Sequence, residues 1–443
     1  MTPPRLEFGG TPGVVAIVLL SHLAAFYVLL CVCAHGGALF LPTSPNALLA
    51  DLRAHATPTP ATVAAYLGFL ATQAVLAMTL PGAIVLGLPI ETEPFDVVYE
   101  APLRLEYRCN ALAGWWVTLV ALGALVYFRG DAPLLWIADN WGRLMTTAIV
   151  VADIASVVAY VSATIYDWFT GAELNPRVFS GRLDLKMWSE IRVSWVTLFV
   201  LTLAAAAKAG FNSSSMLLLT AHWLYANACQ KGEESVPFTL DIFHEKWGWM
   251  LIFWNLAGVP FLYSANAFFI AHASAAADAA WGDDVTDVYE PLSILASLSV
   301  LFVLLVAYYV WDTAQSQRTR FRMQRQGTYV PRGALAFPSL PWGMLTDPTF
   351  IETRVGSPLL TSGWIGRANK IHYTADFIMA TCWALSCGVT PWFRALPWTY
   401  PTFFGFMIAH RAGRDERRCA EKYGEDWTRY REIVPHRFVP GWF

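Results

Sequence analysis

Charge is scarce in this chain. Asp, Glu, Lys and Arg make up 14% of its 443 residues, against roughly 25% in a soluble chain, which excludes an ordinary water-soluble globular class. Cysteine chemistry is equally thin. The seven cysteines are odd in number and form no CxxC pair, so neither a disulfide framework nor a zinc site is indicated; they read as buried apolar thiols. GxGxxG, GxxxxGK[ST] and HExxH are all missing, leaving a Rossmann cofactor domain, a P-loop and a helical zinc site without support. The histidines have no metal-like spacing, and the sequence holds no internal repeat and no low-complexity segment.

Apolar residues are abundant instead, at 56% of the chain, and they gather into long runs. About 20 mostly apolar residues carry a helix across the hydrocarbon core. Candidate spans are 13–34, 61–88, 110–128, 144–165, 193–209, 214–229, 248–273, 292–310, 372–393 and 398–410. The fifth, sixth and tenth fall short of a full crossing. The expected fold is therefore all-α: a polytopic membrane protein with about ten transmembrane helices. Its first run is longer than a signal-peptide core and reads as an uncleaved first span.

The basic residues are concentrated. Segment 312–370 holds eight (Arg318, Arg320, Arg322, Arg325, Arg332, Arg354, Arg367, Lys370), and eight more lie beyond His410. Basic loops stay on the cytoplasmic side, so both regions should share it, with the last two spans as a hairpin between them. The arginines alternate with acids beside spans, so nucleic acid is not an expected partner. Residues 89–109 and 312–370 read as loops, and a loop as long as the second is uncommon unless it is functional.

Several positions could carry chemistry. Segment 230–247, QKGEESVPFTLDIFHEKW, has four acids, Glu233, Glu234, Asp241 and Glu245, running into an apolar span with Tyr263. Ionisable groups at a span edge are expensive unless used or hydrated; for Glu233 and Glu234 a hydrated loop is as good a reading. His244 and Glu245 sit one turn before the span and are expected to face a cavity in the bundle. His372 and Asp376 are four apart, on one helical face, and an aspartate buried in a span points to function rather than packing. The tail offers Arg411, Asp415, Lys422, Tyr423 and Tyr430. Arginine forks suit phosphates, although the tail alone is only a charged amphipathic helix.

These segments resemble a known family. KGEESVPFTLDIFHEKWGWMLIFWNLAGVPFLYS is similar to the signature region of the sterol reductases that include the Δ14 and Δ7 enzymes and the lamin B receptor. ELNPRVFSGRLDLKMWSEIR, QRTRFRMQ, FPSLPWG, LLTSGWIGRANKIHYTADFIMA and HRAGRDERRCAEKYGEDWTRYREIVPHRFVP extend the likeness, in order, over about 90–443. EKWGWMLIFWNLAGVPF and HYTADF look most like the Δ24(28)-sterol reductase of ergosterol synthesis, where the Δ14 and lamin B receptor branch has FGD…WVPF and NYxGD. The resemblance implies a ten-helix fold, with N-terminal transmembrane helices in 1–90 and, in 91–443, a reductase domain binding NADPH at its cytosolic face. Carried over by motif, cofactor contacts fall on Arg318, Arg322, Trp364, His372, Asp376, Arg411, Asp415, Lys422, Tyr423 and Tyr430. Arg318 stands where lysine is usual, and Ile365 replaces the second Trp of GWW, which puts one stacking contact in doubt.

The resemblance also implies a 24-methylene sterol substrate, an endoplasmic reticulum location, lipid contacts and association with other sterol-synthesis enzymes. An isolated alkene accepts hydride poorly, so a proton adds first, from a positioned acid in a cavity that excludes water; Tyr263, Tyr430, His244 and Glu245 are the candidates. No metal is expected. Rival readings are a Δ14 or Δ7 reductase, a membrane methyltransferase using S-adenosylmethionine, a scaffold like the lamin B receptor and a transporter. About a dozen residues precede the first span, which argues against the scaffold; a transporter gives the basic tail no role.

Overall fold

The computed structural model describes residues 6–89, 104–160, 164–279, 290–388 and 395–442. They fall into two compact units, one within Met1–Pro291 and Thr390–Leu396, the other within Leu292–Val389 and Pro397–Phe443. The boundary expected at 90–91 lies outside the described residues.

The first unit is built on α1 (Gly10–Cys33), α2 (Pro60–Thr79), α3 (Ala111–Arg129), α4 (Trp141–Ala159), α5 (Leu185–Lys208), α6 (Ser213–Lys231) and α7 (Trp249–Ser274). Local sequence sets their ends. Thr59 and Thr62 form a reciprocal capping box and Pro60 opens α2, as a ring with fixed φ and no N–H favours. The same ring chemistry ends α2: Pro81 and Gly82 come just after it, and the span expected to reach residue 88 stops at Thr79. The chain continues as β1 (Ala83–Pro89), antiparallel to β2 (Arg104–Cys109), so the described ends of the expected 89–109 loop are partly a hairpin. Two helices widen into π-helical stretches, Trp188–Ser194 in α5 and Trp254–Leu262 in α7. A Cβ at Gly258 would come within 2.3 Å of the Trp254 ring, so that wide turn needs glycine. Ser194 Oγ donates to the Asn255 carbonyl at 2.8 Å, and Asn255 Nδ2 to Ser189 Oγ at 3.1 Å. A polar seam thus joins the two stretches.

The second unit is built on α8 (Ile294–Arg325), α9 (Ile371–Leu385), α10 (Thr399–Tyr423) and α11 (Glu425–Ile433). Here the expected loop needs correction. Residues 312–325 continue α8, and Gln317, Thr319, Phe321 and Met323 are buried along them. Their polarity faces other residues of the protein, so hydropathy alone ends the helix too early. Beyond it the chain is irregular, with a two-stranded pair, Phe350–Ile351 against Leu359–Leu360.

Among the described residues seven helices are long and apolar enough to cross a membrane: α1 to α5, α7 and α8. The chain is a helical membrane protein. Helices α6, α9 and α10 correspond to the other three expected spans. Of these, α9 has 15 residues, and α10 runs on from its apolar start through the charged tail to Tyr423.

Candidate functional site

The polar residues of the second unit converge at the start of α9. Lys370, directly before it, is 3% exposed and forms an ion pair with Asp415 of α10. Arg318 and Arg322, one turn apart on α8, act on the same carboxylate. Burial alone would push the Asp415 carboxyl up; Lys370, Arg318 and Arg322 more than offset it and hold it at about 2. Burial lowers the Lys370 ammonium, Asp415 pulls it back up, and Arg318 lowers it further. Three cations therefore act on this one partly buried carboxylate, and buried cations are costly without anions.

Other expected residues line the same place. His372 lies within electrostatic reach of Arg318, Lys370, Asp415 and Arg411. It is 2% exposed, and its Nδ1, like Asn369 Nδ2, is buried without a hydrogen-bond partner among the described residues. Asp376 sits one turn further along α9 and is half-buried rather than buried. Burial raises the Tyr423 hydroxyl and Arg322 draws it down; Lys422 Nζ lies 5.6 Å from the centre of the Tyr423 ring. Tyr423, Trp427 and Tyr430 form a stacked ladder, the last two 4.9 Å apart.

Trp364 is fixed by short contacts. Its Nε1 donates to Thr313 Oγ1 at 2.8 Å and its backbone N–H to Gln317 Oε1 at 3.0 Å. Gly363 permits this, because its φ is +67° and a Cβ there would meet Gln317 Oε1 at 2.4 Å. The Arg367 guanidinium lies 4.9 Å from the centre of the Trp364 ring. Ile365 is 5% exposed and packs with Phe321 and Leu360, so it is a core residue.

The four candidate acids are placed differently. Tyr263 is 9% exposed, directly after the π-helical stretch of α7, its ring 6.4 Å from that of Trp195. His244 is exposed and Glu245 half-buried, so the expected cavity-facing pair is corrected. The helix containing Asp241 stops at Phe243 and α7 starts at Trp249, so no helical turn carries His244 inward. The Glu245 carbonyl accepts from Lys186 Nζ at 2.6 Å. Tyr430 is 2% exposed, packed with Ile351, Trp427 and Val434, and burial raises its hydroxyl. Glu233 takes a structural role. It accepts from the Ala111 N–H at 2.6 Å, at the start of α3, and pairs with buried Arg192 at 3.2 Å. Lys370, Asn369, Gln317 and Thr313 were not among the expected site residues. Lysine immediately before an apolar helix was the available signal for the first.

Among the described residues no group of three or more His, Cys, Asp and Glu could hold a metal ion. The class is thus a helical membrane protein with a cation-rich, partly buried site at the start of α9. The family model described as "Ergosterol biosynthesis ERG4/ERG24 family" matches residues 4–443, reaching the N-terminal helices as well. Delta(24(24(1)))-sterol reductase erg4A of Aspergillus fumigatus is 38% identical, over 99% of this chain and 93% of its own. The Delta(24(24(1)))-sterol reductase of Gibberella zeae is 38% identical over 98% and 73%. The Delta(14)-sterol reductase erg24 of Schizosaccharomyces pombe is 30% identical over 76% of both. The chain belongs to the ERG4/ERG24 family, a family of sterol reductases of ergosterol biosynthesis.

Proposed function

We propose that this protein uses NADPH to reduce the double bond between C24 and its one-carbon substituent, written 24(28) or 24(24(1)), in a 24-methylene sterol of the endoplasmic reticulum membrane. The observation that carries the cofactor reading is the convergence of Arg318, Arg322 and Lys370 on Asp415. Guanidinium forks match phosphate oxygens two at a time, and a pyrophosphate or 2′-phosphate supplies further negative charge. The buried Asn369 amide nitrogen and His372 ring nitrogen are further polar atoms available to such a ligand. The names of the two relatives at 38% identity favour the 24-position over the ring alkene named for the relative at 30%.

When bound, the dinucleotide supplies hydride. The chain's own residues bind its phosphates, orient the sterol, exclude water and deliver a proton. Protonation of the terminal methylene carbon places positive charge on tertiary C24, the one carbon of this alkene that bears it well. Tyr263 fits the donor role best among the four candidates, being a buried hydroxyl beside the wide turn of α7; π-helical turns are frequent at functional sites. Membranes carrying the protein, incubated with NADPH or NADH and a panel of 24-methylene, Δ14 and Δ7 sterols, test the reading by mass spectrometry. Loss of the 24-methylene with NADPH supports it; loss of a ring alkene alone, or equal rates with NADH, overturns the part concerned.

A further inference from the structure

Pro260 lies inside the π-helical stretch of α7, and proline has no N–H to donate. Its ring crowds the carbonyl four residues back, that of Leu256. In a π-helical pattern the donor it lacks would serve the carbonyl five back, that of Asn255. Within a membrane, backbone groups that proline releases are satisfied by neighbouring helices and hydroxyl side chains. Two hydroxyls from other helices meet these two carbonyls. Tyr66 of α2, 4% exposed, donates its hydroxyl to the Leu256 carbonyl at 2.7 Å. Ser194 Oγ of α5 lies 2.8 Å from the Asn255 carbonyl and 2.9 Å from that of Ser189, its one proton bridging the two π-helical stretches.

Tyr263 comes three residues after Pro260, and its backbone N–H donates to the Val259 carbonyl. Its place therefore depends on the path of the chain through the wide stretch. Closing that stretch to ordinary α-helix would shift everything after it by about one residue, roughly 100° around the axis. The anchoring residues also neighbour the rings around Tyr263. Trp195, directly after Ser194, has its ring 6.4 Å from that of Tyr263 and 4.7 Å from that of Tyr225. The Tyr66 ring is 6.4 Å from that of Phe261. A glycine at 258 and a proline at 260 weaken α7 within one turn, and widened turns of this kind are frequent at functional sites.

We propose that Tyr66 and Ser194 are positioning residues for proton transfer; the inference rests on the reading of Tyr263 as proton donor. Their hydroxyls stand in for the N–H that Pro260 lacks and fix the wide turn of α7. They thereby hold the Tyr263 hydroxyl where its proton passes to the methylene carbon of the sterol, the phenolate regaining a proton from water. Neither residue touches the reacting atoms, and each acts through the backbone of α7.

The test uses the full chain in membranes with NADPH and a 24-methylene sterol. Tyr66→Phe keeps the ring against Phe261 and deletes only the hydroxyl, and Ser194→Ala does the same on α5. Each should lower kcat per folded molecule by roughly 10- to 100-fold, since misplacement by about 1 Å can cost a hundredfold, with the KM for NADPH unchanged. As proton transfer becomes the slower step, the solvent deuterium isotope effect on kcat should rise and the effect of deuterated NADPH should fall. A role in stability alone changes the amount of folded protein and leaves both isotope effects at wild-type values. Wild-type kcat, or unchanged isotope effects, in either variant removes that residue from the role. Tyr263→Phe separates the two readings. Loss of turnover there, with both other variants at wild-type values, overturns the positioning and leaves the donor standing. Wild-type turnover in Tyr263→Phe overturns the donor reading and the positioning with it.

Discussion

Lys370, at the start of α9, and Asp415, on α10, are joined in an ion pair whose side chains are 4% and 18% exposed. The two partners are not equivalent. Without Lys370, Asp415 keeps Arg318 and Arg322; without Asp415, three cations face one another. Asp415→Asn should therefore destabilise the protein more than Lys370→Met. Removing one partner of a buried pair costs about 3–5 kcal/mol, and Asp415→Asn should lie toward the upper end. Thermal unfolding of purified variants in detergent checks the order. NADPH should restore Asp415→Asn by a larger temperature shift than it gives the wild type, since phosphate replaces the lost negative charge.

The pair also fixes a pH dependence. The Asp415 carboxyl sits at about 2 in the folded protein and at roughly 3.9 when unfolded. A depressed folded value means stabilisation that is fully present above the unfolded value and lost as pH falls toward the folded one. The contribution should be flat from neutral pH to about 4 and decline between about 4 and 2. Unfolding temperatures of wild type and Asp415→Asn should converge over that acid window and run parallel above it. Convergence already near pH 6 would contradict the assignment.

Arg411→Ala should raise the NADPH concentration needed for half-maximal turnover while leaving the protein in the membrane. A lost charge-assisted hydrogen bond is worth about 1.5–3 kcal/mol, or roughly 10- to 150-fold in affinity. Titration of sterol reduction against NADPH at saturating sterol measures it. A wild-type requirement would remove Arg411 from the site.

In the first unit, Glu233→Gln should lower stability with little change in NADPH dependence. The carboxylate holds the Ala111 N–H and the Arg192 guanidinium, whose side chain is 3% exposed. Losing its charge removes the carboxylate paired with buried Arg192, at a cost of about 3–5 kcal/mol. A stable variant with an altered NADPH requirement would assign Glu233 to function instead.

Much of the fold was legible because long apolar runs have few alternatives to a membrane helix. The fifth expected span, too short by hydropathy, gains its length from the π-helical stretch Trp188–Ser194. The second was read too long because its apolar character continues past Pro81 into a strand. Residues 312–325 looked like a loop because helical continuation depends on what their polar side chains meet. The site was legible as residues and not as an arrangement. Arg318, His372 and Asp415 were visible as candidates, but Lys370 and Asp415 are 45 positions apart, and no spacing rule joins them. His244 was misplaced because the helix breaks between Phe243 and Trp249, a break that its neighbouring acids concealed.

The central claim, that hydride from NADPH reaches C24 of a 24-methylene sterol after a proton has reached the methylene carbon, is tested by isotopic labelling. Membranes containing the protein are given NADPH carrying deuterium at the transferable position and a 24-methylene sterol in ordinary water, and the product is read by NMR and mass spectrometry. The account predicts a single deuterium at C24, a new methyl group whose added hydrogen comes from water, and intact ring alkenes. Deuterium in the methyl group, or a product that keeps its 24-methylene and has lost a ring double bond, would contradict it.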